Sequence, residues 1–149
     1  MLAPSIVFVD LETTGANPAF DRIIEVGIVK VTGGRVEYEW STLVDPGESI
    51  PPLIQGFTGI SNEMVEDAPP FEDLRRELRH RLDGRLFVAH NARFDYGFIR
   101  NAFARIGRDF VAPVLCTVKL SRALFPEHHR HGLDALIERH QLVCTARHR

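Results

Sequence analysis

The segment that most constrains the fold is residues 6–15, whose sequence is IVFVDLETTG. Four consecutive apolar residues are typical of a buried strand. Because residues two apart on a strand point to the same face, a strand continuing to residue 12 would project Asp10 and Glu12 together. Two like charges there repel each other, and a divalent cation such as Mg²⁺ or Mn²⁺ between them would remove the repulsion. The alternative is that both acids merely form the solvated end of a strand.

The composition fits one globular domain with a core. The chain has 149 residues, of which 44% are hydrophobic and 26% charged. No apolar run approaches the ~20 residues that a membrane span needs. Cys116 and Cys144 lack a CxxC pairing, so we expect reduced thiols in a cytoplasmic protein with no membrane contact. With a net charge of -2, any contact with phosphates must be local, through metal, helix N-termini or a few arginines.

The pattern along the chain changes from strands to alternating helices and strands. Strands over 23–31 and 35–44 flank Gly33-Gly34, which predicts a β-hairpin. Helices are then predicted over 71–82, 92–106, 119–124 and 133–140, the last with Leu133, Leu136 and Ile137 facing inward. Short strands are predicted over 86–89 and 111–117. This order predicts an α/β fold with a mixed five-stranded sheet and helices on both faces, as in ribonuclease-H-like proteins.

A third carboxylate follows the predicted fourth strand, in the sequence HNARFD at residues 90–95. Asp95 falls in the first turn of the next helix, where the helix macrodipole favours an anion. Taken singly, Asp95 is a first-turn helix acid, Asn91 is most simply an N-cap, and His90 is a structural histidine.

The combination of DLETTG at residues 10–15 with HNARFD at 90–95 resembles the DEDDh, or DnaQ-like, 3′→5′ exonucleases, whose type member is the proofreading epsilon subunit of bacterial DNA polymerase III. The resemblance extends from Ile6 to His148. It includes FTGI at 57–60, which matches the segment that lies against the 3′-terminal nucleotide in this family. It also includes LCT at 115–117 and LDAL at 133–136.

The resemblance implies a role for each matching residue. Asp10 would bridge two divalent cations, Mg²⁺ or Mn²⁺, while Glu12 would bind the first and Asp95 the second. Two cations about 3.5–4 Å apart stabilise the attacking and leaving oxygens of an in-line displacement. The residues expected to contact the substrate are Leu11, Thr13, Thr58, Ile60, Asn91 and Phe94. For Thr58, Ile60 and Phe94 core packing is an equal alternative, and Leu11 and Thr13 have the alternative of being ordinary loop residues.

The third motif of the family is a histidine followed, five positions on, by an aspartate. His129 and Asp134 have this spacing, but Asp134 belongs to the LDAL segment that precedes the motif in the family. His148 is the better candidate, as a catalytic base, and its partner would lie beyond Arg149. We therefore expect a single exonuclease-like domain over 1–149 that is truncated within this motif. His148 alone would be an exposed tail residue.

The resemblance implies a metal-dependent 3′→5′ exonuclease that releases nucleoside monophosphates from a single-stranded or frayed 3′ end of DNA. Proofreading or repair is the expected setting, with a polymerase subunit or further domains as partners. One alternative is an exoribonuclease that trims RNA. Another is a nucleic-acid-binding or polymerase-associated module that has lost catalysis.

Overall fold

Three antiparallel strands begin the fold of the computed structural model, which describes residues 5–144. They are β1 (Ser5–Thr13), β2 (Ile23–Thr32) and β3 (Arg35–Leu43). The turn between β2 and β3 places Gly33 and Gly34 at φ of 57° and 77°, a left-handed conformation that glycine adopts without strain. The predicted hairpin is therefore confirmed, and β1 extends through both Asp10 and Glu12.

Two parallel strands complete the sheet. They are β4 (Leu86–Ala89) and β5 (Val114–Cys116), and the strand order is β3-β2-β1-β4-β5. The predicted mixed five-stranded sheet is confirmed, with β1 at its centre. The fifth strand is shorter than predicted because Pro113 has no N–H to donate, and only its carbonyl takes part, accepting from the Phe87 N–H at 2.8 Å.

Six helices are described. They are α1 (Pro52–Thr58), α2 (Asn62–Glu66), α3 (Phe71–Leu82), α4 (Ala92–Arg105), α5 (Thr117–Leu124) and α6 (Leu133–Arg139). Within residues 5–144, no helix is both long and apolar enough to cross a membrane.

The main core lies between one face of the sheet and the helices α3 and α4. Alternate residues of β1 point into it, including Val7 and Val9, and they meet the fully buried Leu78 of α3 and Phe98 of α4. Burying side chains of this size contributes roughly 1.5–3 kcal/mol each. This packing fixes α4, and hence its N-terminus, against the central strand.

The opposite face of the sheet is covered less fully. A groove of about 1160 Å³ runs along it between Phe8 and Val29 of the sheet and Leu133 and Leu136 of α6. The prediction that Leu133 faces inward is wrong, because it is 37% exposed and no described residue of α6 is buried. The apolar spacing of α6 is correct, but the helix lies at the rim of this groove and does not seal it.

Candidate active site

The central strand β1 presents its two acids on the face away from the main core. Val9, Leu11 and Thr13 are buried, whereas Asp10 is exposed and Glu12 is half-buried. This alternation follows from the two-residue period of a strand. The structure thus places Asp10 and Glu12 on the same side, as the sequence predicts.

Asp95 lies beside these acids although it is distant in sequence. Its side chain is 5% exposed, and its Oδ1 accepts a hydrogen bond from the Leu11 backbone N–H at 3.2 Å. Burial, and then the charge of Asp10, raise the pKa of Asp95 from 3.8 to about 7, although the hydrogen bond from Leu11 opposes the rise; Glu12 adds a smaller increase. Three carboxylates are therefore gathered between β1 and α4, and the charges of Asp10 and Glu12 raise the cost of ionising Asp95.

Asn91 differs from its predicted role as a side-chain cap. It has φ 66° and ψ 56°, a left-handed conformation, and its side chain makes no capping hydrogen bond. Instead, the Ala92 N–H at the start of α4 donates to Sγ of Cys116, 3.4 Å away. The prediction that Asn91 occupies the N-cap position is confirmed, but its side chain does not cap the helix, and a residue from β5 accepts the hydrogen bond from Ala92 instead.

Both ring nitrogens of His90 form hydrogen bonds within the protein. Its Nδ1 lies 2.8 Å from Oγ1 of Thr117, and its Nε2 lies 2.8 Å from the backbone oxygen of His131. His131 is itself buried, with Nδ1 at 2.7 Å from Oγ of Ser121. The histidine network fixes the loop before α6 to β4 and α5, and sequence reasoning missed His131 because no spacing marks a loop residue as buried.

A cavity of about 450 Å³, here called the site cavity, opens beside the acids. Its polar side carries Asp10 and Glu12, and its apolar side carries Ile54, Phe57 and Phe94. The Phe57 side chain is 63% exposed. The remaining lining residues are Leu11, Thr13, Gly15, Ala16, Thr58, His90 and Leu133. A ligand with an anionic group and a planar or apolar part could place the apolar part against the aromatic side. Its anionic group could lie beside the acids if a cation offset the repulsion between them.

The structure brings most of the expected substrate-contacting residues to this cavity. Leu11, Thr13, Thr58 and Phe94 line it, but the Leu11 side chain belongs to the core. The Thr13 hydroxyl donates to the Gly15 oxygen at 2.6 Å, and the Thr58 hydroxyl donates to the Ile54 oxygen at 2.8 Å. Their side chains therefore already have partners within the protein.

Other expected residues lie elsewhere. Ile60 is fully buried in a second cluster with Ile24, Ile50 and Val65, and Asn91 is exposed; neither lines the site cavity. His148 falls outside the described residues. His129, the rejected alternative, is exposed in the loop before α6.

The donor set suits a hard divalent cation. Carboxylate oxygens are the ligands that Mg²⁺ and Mn²⁺ prefer, and a cation would offset the charges that raise the pKa of Asp95. Among residues 5–144, however, no group of three or more His, Cys, Asp or Glu side chains has the arrangement of a ready-made metal site. The three acids fit such a cation by chemistry, and binding requires them to adjust.

Comparison with known proteins identifies a family. The model of the exonuclease family RNase_T matches residues 7–149. The 3′-5′ exonuclease DinG of Bacillus subtilis (strain 168) is 42% identical over 147 residues, which are 96% of this chain and 16% of DinG. The DNA polymerase III PolC-type of the same strain is 36% identical over 146 residues, 97% of this chain and 10% of PolC. The chain thus spans less than a fifth of these relatives.

Solved structures agree on the fold. Exonuclease X in complex with 5′ overhanging duplex DNA has a TM-score of 0.75 and 28% identity, covering 95% of this chain and 76% of that one. Product-bound exonuclease I has a TM-score of 0.85 at 17% identity, covering 98% of this chain and 40% of that one, and supports the ribonuclease-H-like fold alone. With a family match over nearly its whole length, this chain belongs to the exonuclease family, in agreement with its DnaQ-like motifs.

Proposed function

We propose that this chain is a metal-dependent 3′→5′ exonuclease domain that acts on the 3′ end of DNA. The observation that carries the proposal is the convergence of Asp10, Glu12 and Asp95 beside one open cavity. The names of the relatives support it, since DinG is called a 3′-5′ exonuclease and PolC is a DNA polymerase. The complex of exonuclease X with duplex DNA favours DNA over RNA as the substrate.

The three acids would hold two divalent cations, Mg²⁺ or Mn²⁺. When bound, the cations supply charge stabilisation to the attacking and leaving oxygens of phosphodiester hydrolysis. Asp10 would be a ligand of both cations, Glu12 of the first and Asp95 of the second. The hydrogen bond from the Leu11 N–H fixes the Asp95 carboxylate relative to β1, so all three ligands are positioned by the same strand.

The walls of the site cavity place the terminal nucleotide. Phe57 and Phe94 provide an apolar surface for the base and sugar, opposite the acids that face the scissile phosphate. His148 removes a proton from the attacking water, a task suited to an imidazole whose unperturbed pKa is about 6.5. The products are nucleoside monophosphates.

This domain works within a longer protein. DinG and PolC, which match almost the whole chain, are about six and ten times longer, since the match covers 16% and 10% of their lengths. We extend the proposal to proofreading or repair, with a polymerase or additional domains delivering the 3′ end.

The experiment measures the degradation of one labelled sequence, made once as DNA and once as RNA. A 5′-labelled single-stranded DNA should shorten from its 3′ end with Mn²⁺ or Mg²⁺ and remain intact with EDTA. Asp10→Ala should abolish the shortening, whereas Asp73→Ala, an exposed acid on α3, should not. Faster loss of the matched RNA would make the protein an exoribonuclease, and degradation that persists in EDTA would refute the two-metal site.

A further inference from the structure

A second cavity lies at the other end of α4 from Asp95. It has a volume of about 560 Å³ and is lined by four arginines and one aromatic residue: Arg75, Arg76, Arg79, Arg108 and Phe103. We call it the arginine cavity. The chain as a whole carries a net charge of -2, so this concentration of positive charge is a local feature and does not reflect a basic protein.

Two of the four guanidinium groups are committed to the fold. Arg79 lies 3.6 Å from Asp83, donates to the Asp109 backbone oxygen and stacks over the Phe103 ring, 4.6 Å from its centroid. Arg75 donates to the Glu72 backbone oxygen at 2.8 Å. These contacts fix two positive charges in the cavity wall.

The other two groups are available to a ligand. Arg76 and Arg108 are both exposed, and within residues 5–144 neither forms an ion pair with a carboxylate. Acidic residues such as Asp83 and Asp109 are close, but none of them lines the cavity. A ligand entering the cavity therefore meets a surface whose charged side chains are all positive.

Two further arginines lie on α4, between the ends of the helix at which the two cavities lie, and neither lines either cavity. Arg93 and Arg100 are exposed on α4, seven residues apart, and at 3.6 residues per turn they lie on the same side of the helix. Neither forms an ion pair in the part of the chain that the structure describes. Arg93 is in the first turn of α4 with Asp95, whereas Arg108 follows its C-terminal end.

We propose that Arg93, Arg100, Arg108 and Arg76 form a track that binds the phosphodiester backbone of the strand whose 3′ end occupies the site cavity. The inference rests on the proposed function and adds a binding surface outside the site. Guanidinium groups match phosphate oxygens in geometry and charge. Phe103 is fully buried and offers no stacking surface, so binding along the track does not depend on base sequence.

The helix sets how long a strand must be to reach the arginine cavity. From Asp95 to Phe103 the rise along α4 is about 12 Å at 1.5 Å per residue. At about 3.4 Å per nucleotide this is roughly four nucleotides. Four nucleotides are joined by only three such intervals, about 10 Å, so a four-nucleotide strand whose 3′ end occupies the site cavity stops short of the arginine cavity, whereas a sixteen-nucleotide strand reaches it.

The test measures binding without cleavage. The protein is titrated in EDTA with fluorescently labelled oligothymidylates of four and sixteen nucleotides at several salt concentrations. For Arg76→Ala/Arg108→Ala, we expect the sixteen-nucleotide strand to bind about tenfold more weakly at low salt. The slope of log K against log salt should become shallower by about 1.4, which is 0.7 for each lost contact. Binding of the four-nucleotide strand should not change.

The matched control is Arg35→Ala/Arg122→Ala, which removes two exposed arginines from β3 and α5 and should change neither affinity nor slope. Equal slopes for the cavity variant and this control would overturn the proposal, as would an equal loss for both strand lengths. Stronger competition by a polyglutamate peptide than by unlabelled strand would overturn it in favour of an acidic protein partner. Complete displacement of the strand from the arginines by millimolar inorganic phosphate would also overturn it, because the cavity would then be a site for small anions.

These binding outcomes are separate from the proposed exonuclease activity. With Mn²⁺ added, Arg76→Ala/Arg108→Ala should degrade the four-nucleotide strand at the rate of the unmodified protein, because the site cavity is intact. If neither protein degrades this strand, the proposed function fails, while the salt slopes measured in EDTA still decide whether the arginine track binds nucleic acid.

Discussion

Leu11 and Asp95 are joined by a hydrogen bond from the backbone N–H of Leu11 to Oδ1 of Asp95, at 3.2 Å, although 84 positions separate them in sequence. The donor belongs to the strand that carries Asp10 and Glu12, and the acceptor is itself an acid of the site. Every residue except proline carries a backbone N–H, so this contact can hold the three acids together with any residue other than proline at position 11.

Replacing Asp95 with asparagine should stabilise the metal-free protein while abolishing nuclease activity. Asparagine keeps an oxygen for the Leu11 N–H but carries no buried charge. Because the folded-state pKa of Asp95 is raised from 3.8 to about 7, its ionisation lowers stability as pH rises through that interval, and the penalty is constant above it. Asp95→Asn should therefore gain on the order of 2–4 kcal/mol at pH 8 and less at pH 5.

Urea denaturation in EDTA at these two pH values measures the difference. The control is Asp73→Asn, an exposed acid on α3, which should change stability by no more than about 0.5 kcal/mol at either pH. If Asp95→Asn lost stability at pH 8, the ionised carboxylate of Asp95 would stabilise the fold and its burial would not destabilise the protein.

Mn²⁺ should raise the melting temperature through Asp10. A ligand that binds only the folded state stabilises it by about 2.7 kcal/mol at a hundred times its dissociation constant. For a domain of this size, that corresponds to roughly 5–10 °C. Differential scanning fluorimetry should show the shift for the unmodified protein and for Asp73→Asn, but not for Asp10→Asn. An equal shift in Asp10→Asn would place the cation elsewhere.

His90 should act as a positioning residue through its bond to the His131 oxygen. Glutamine places an amide donor near the position of Nε2, whereas asparagine reaches only the position of Nδ1. We therefore expect kcat near the unmodified value for His90→Gln, and a ten- to hundredfold lower kcat with unchanged KM for His90→Asn and His90→Ala.

The exposed His129→Ala in the adjacent loop serves as the control and should retain full activity. Each lost hydrogen bond costs about 1 kcal/mol of stability, which unfolding experiments can measure separately. If kcat followed stability alone, with His90→Gln as impaired as His90→Ala, the residue would be structural without positioning the site.

Asn91 should tolerate glycine better than alanine. Its left-handed conformation, with φ 66°, costs an alanine roughly 1–2 kcal/mol, whereas glycine adopts it freely. Since the Asn91 side chain forms no cap, its removal in Asn91→Gly loses no hydrogen bond of the helix. Urea denaturation should rank Asn91→Gly above Asn91→Ala, and the reverse order would indicate that the side chain caps α4 in solution.

The sheet was predictable because its signals are local. The alternation in β1 and the Gly33-Gly34 turn act over a few residues, and they set the strands and the side on which Asp10 and Glu12 lie. The proximity of Asp95 was expected only from the family resemblance, and the structure accounts for it by placing Asp95 at the start of a helix that follows a strand parallel to β1.

What the sequence did not reveal depends on contacts between distant segments. The acceptor for the first N–H of α4 is Cys116, 24 residues from Ala92. The left-handed backbone of Asn91, whose side chain does not cap the helix, is not indicated by any local sequence pattern. The burial of His131 depends on Ser121 and on the path of a loop. The exposure of Leu133 reflects the position of α6 at the rim of a groove, which periodicity does not specify.

The parallel pairing of β1 with β4 also determines the stage of folding at which the three acids of the site come together. Closing the loop between residues 11 and 95 costs on the order of 4 kcal/mol of chain entropy, which only the packing of α4 and β4 offsets. A growing polypeptide that has made β1 to β3 holds two acids without the third. The domain thus has no complete set of ligands until its second half has docked, so a half-made chain holds no assembled nuclease site.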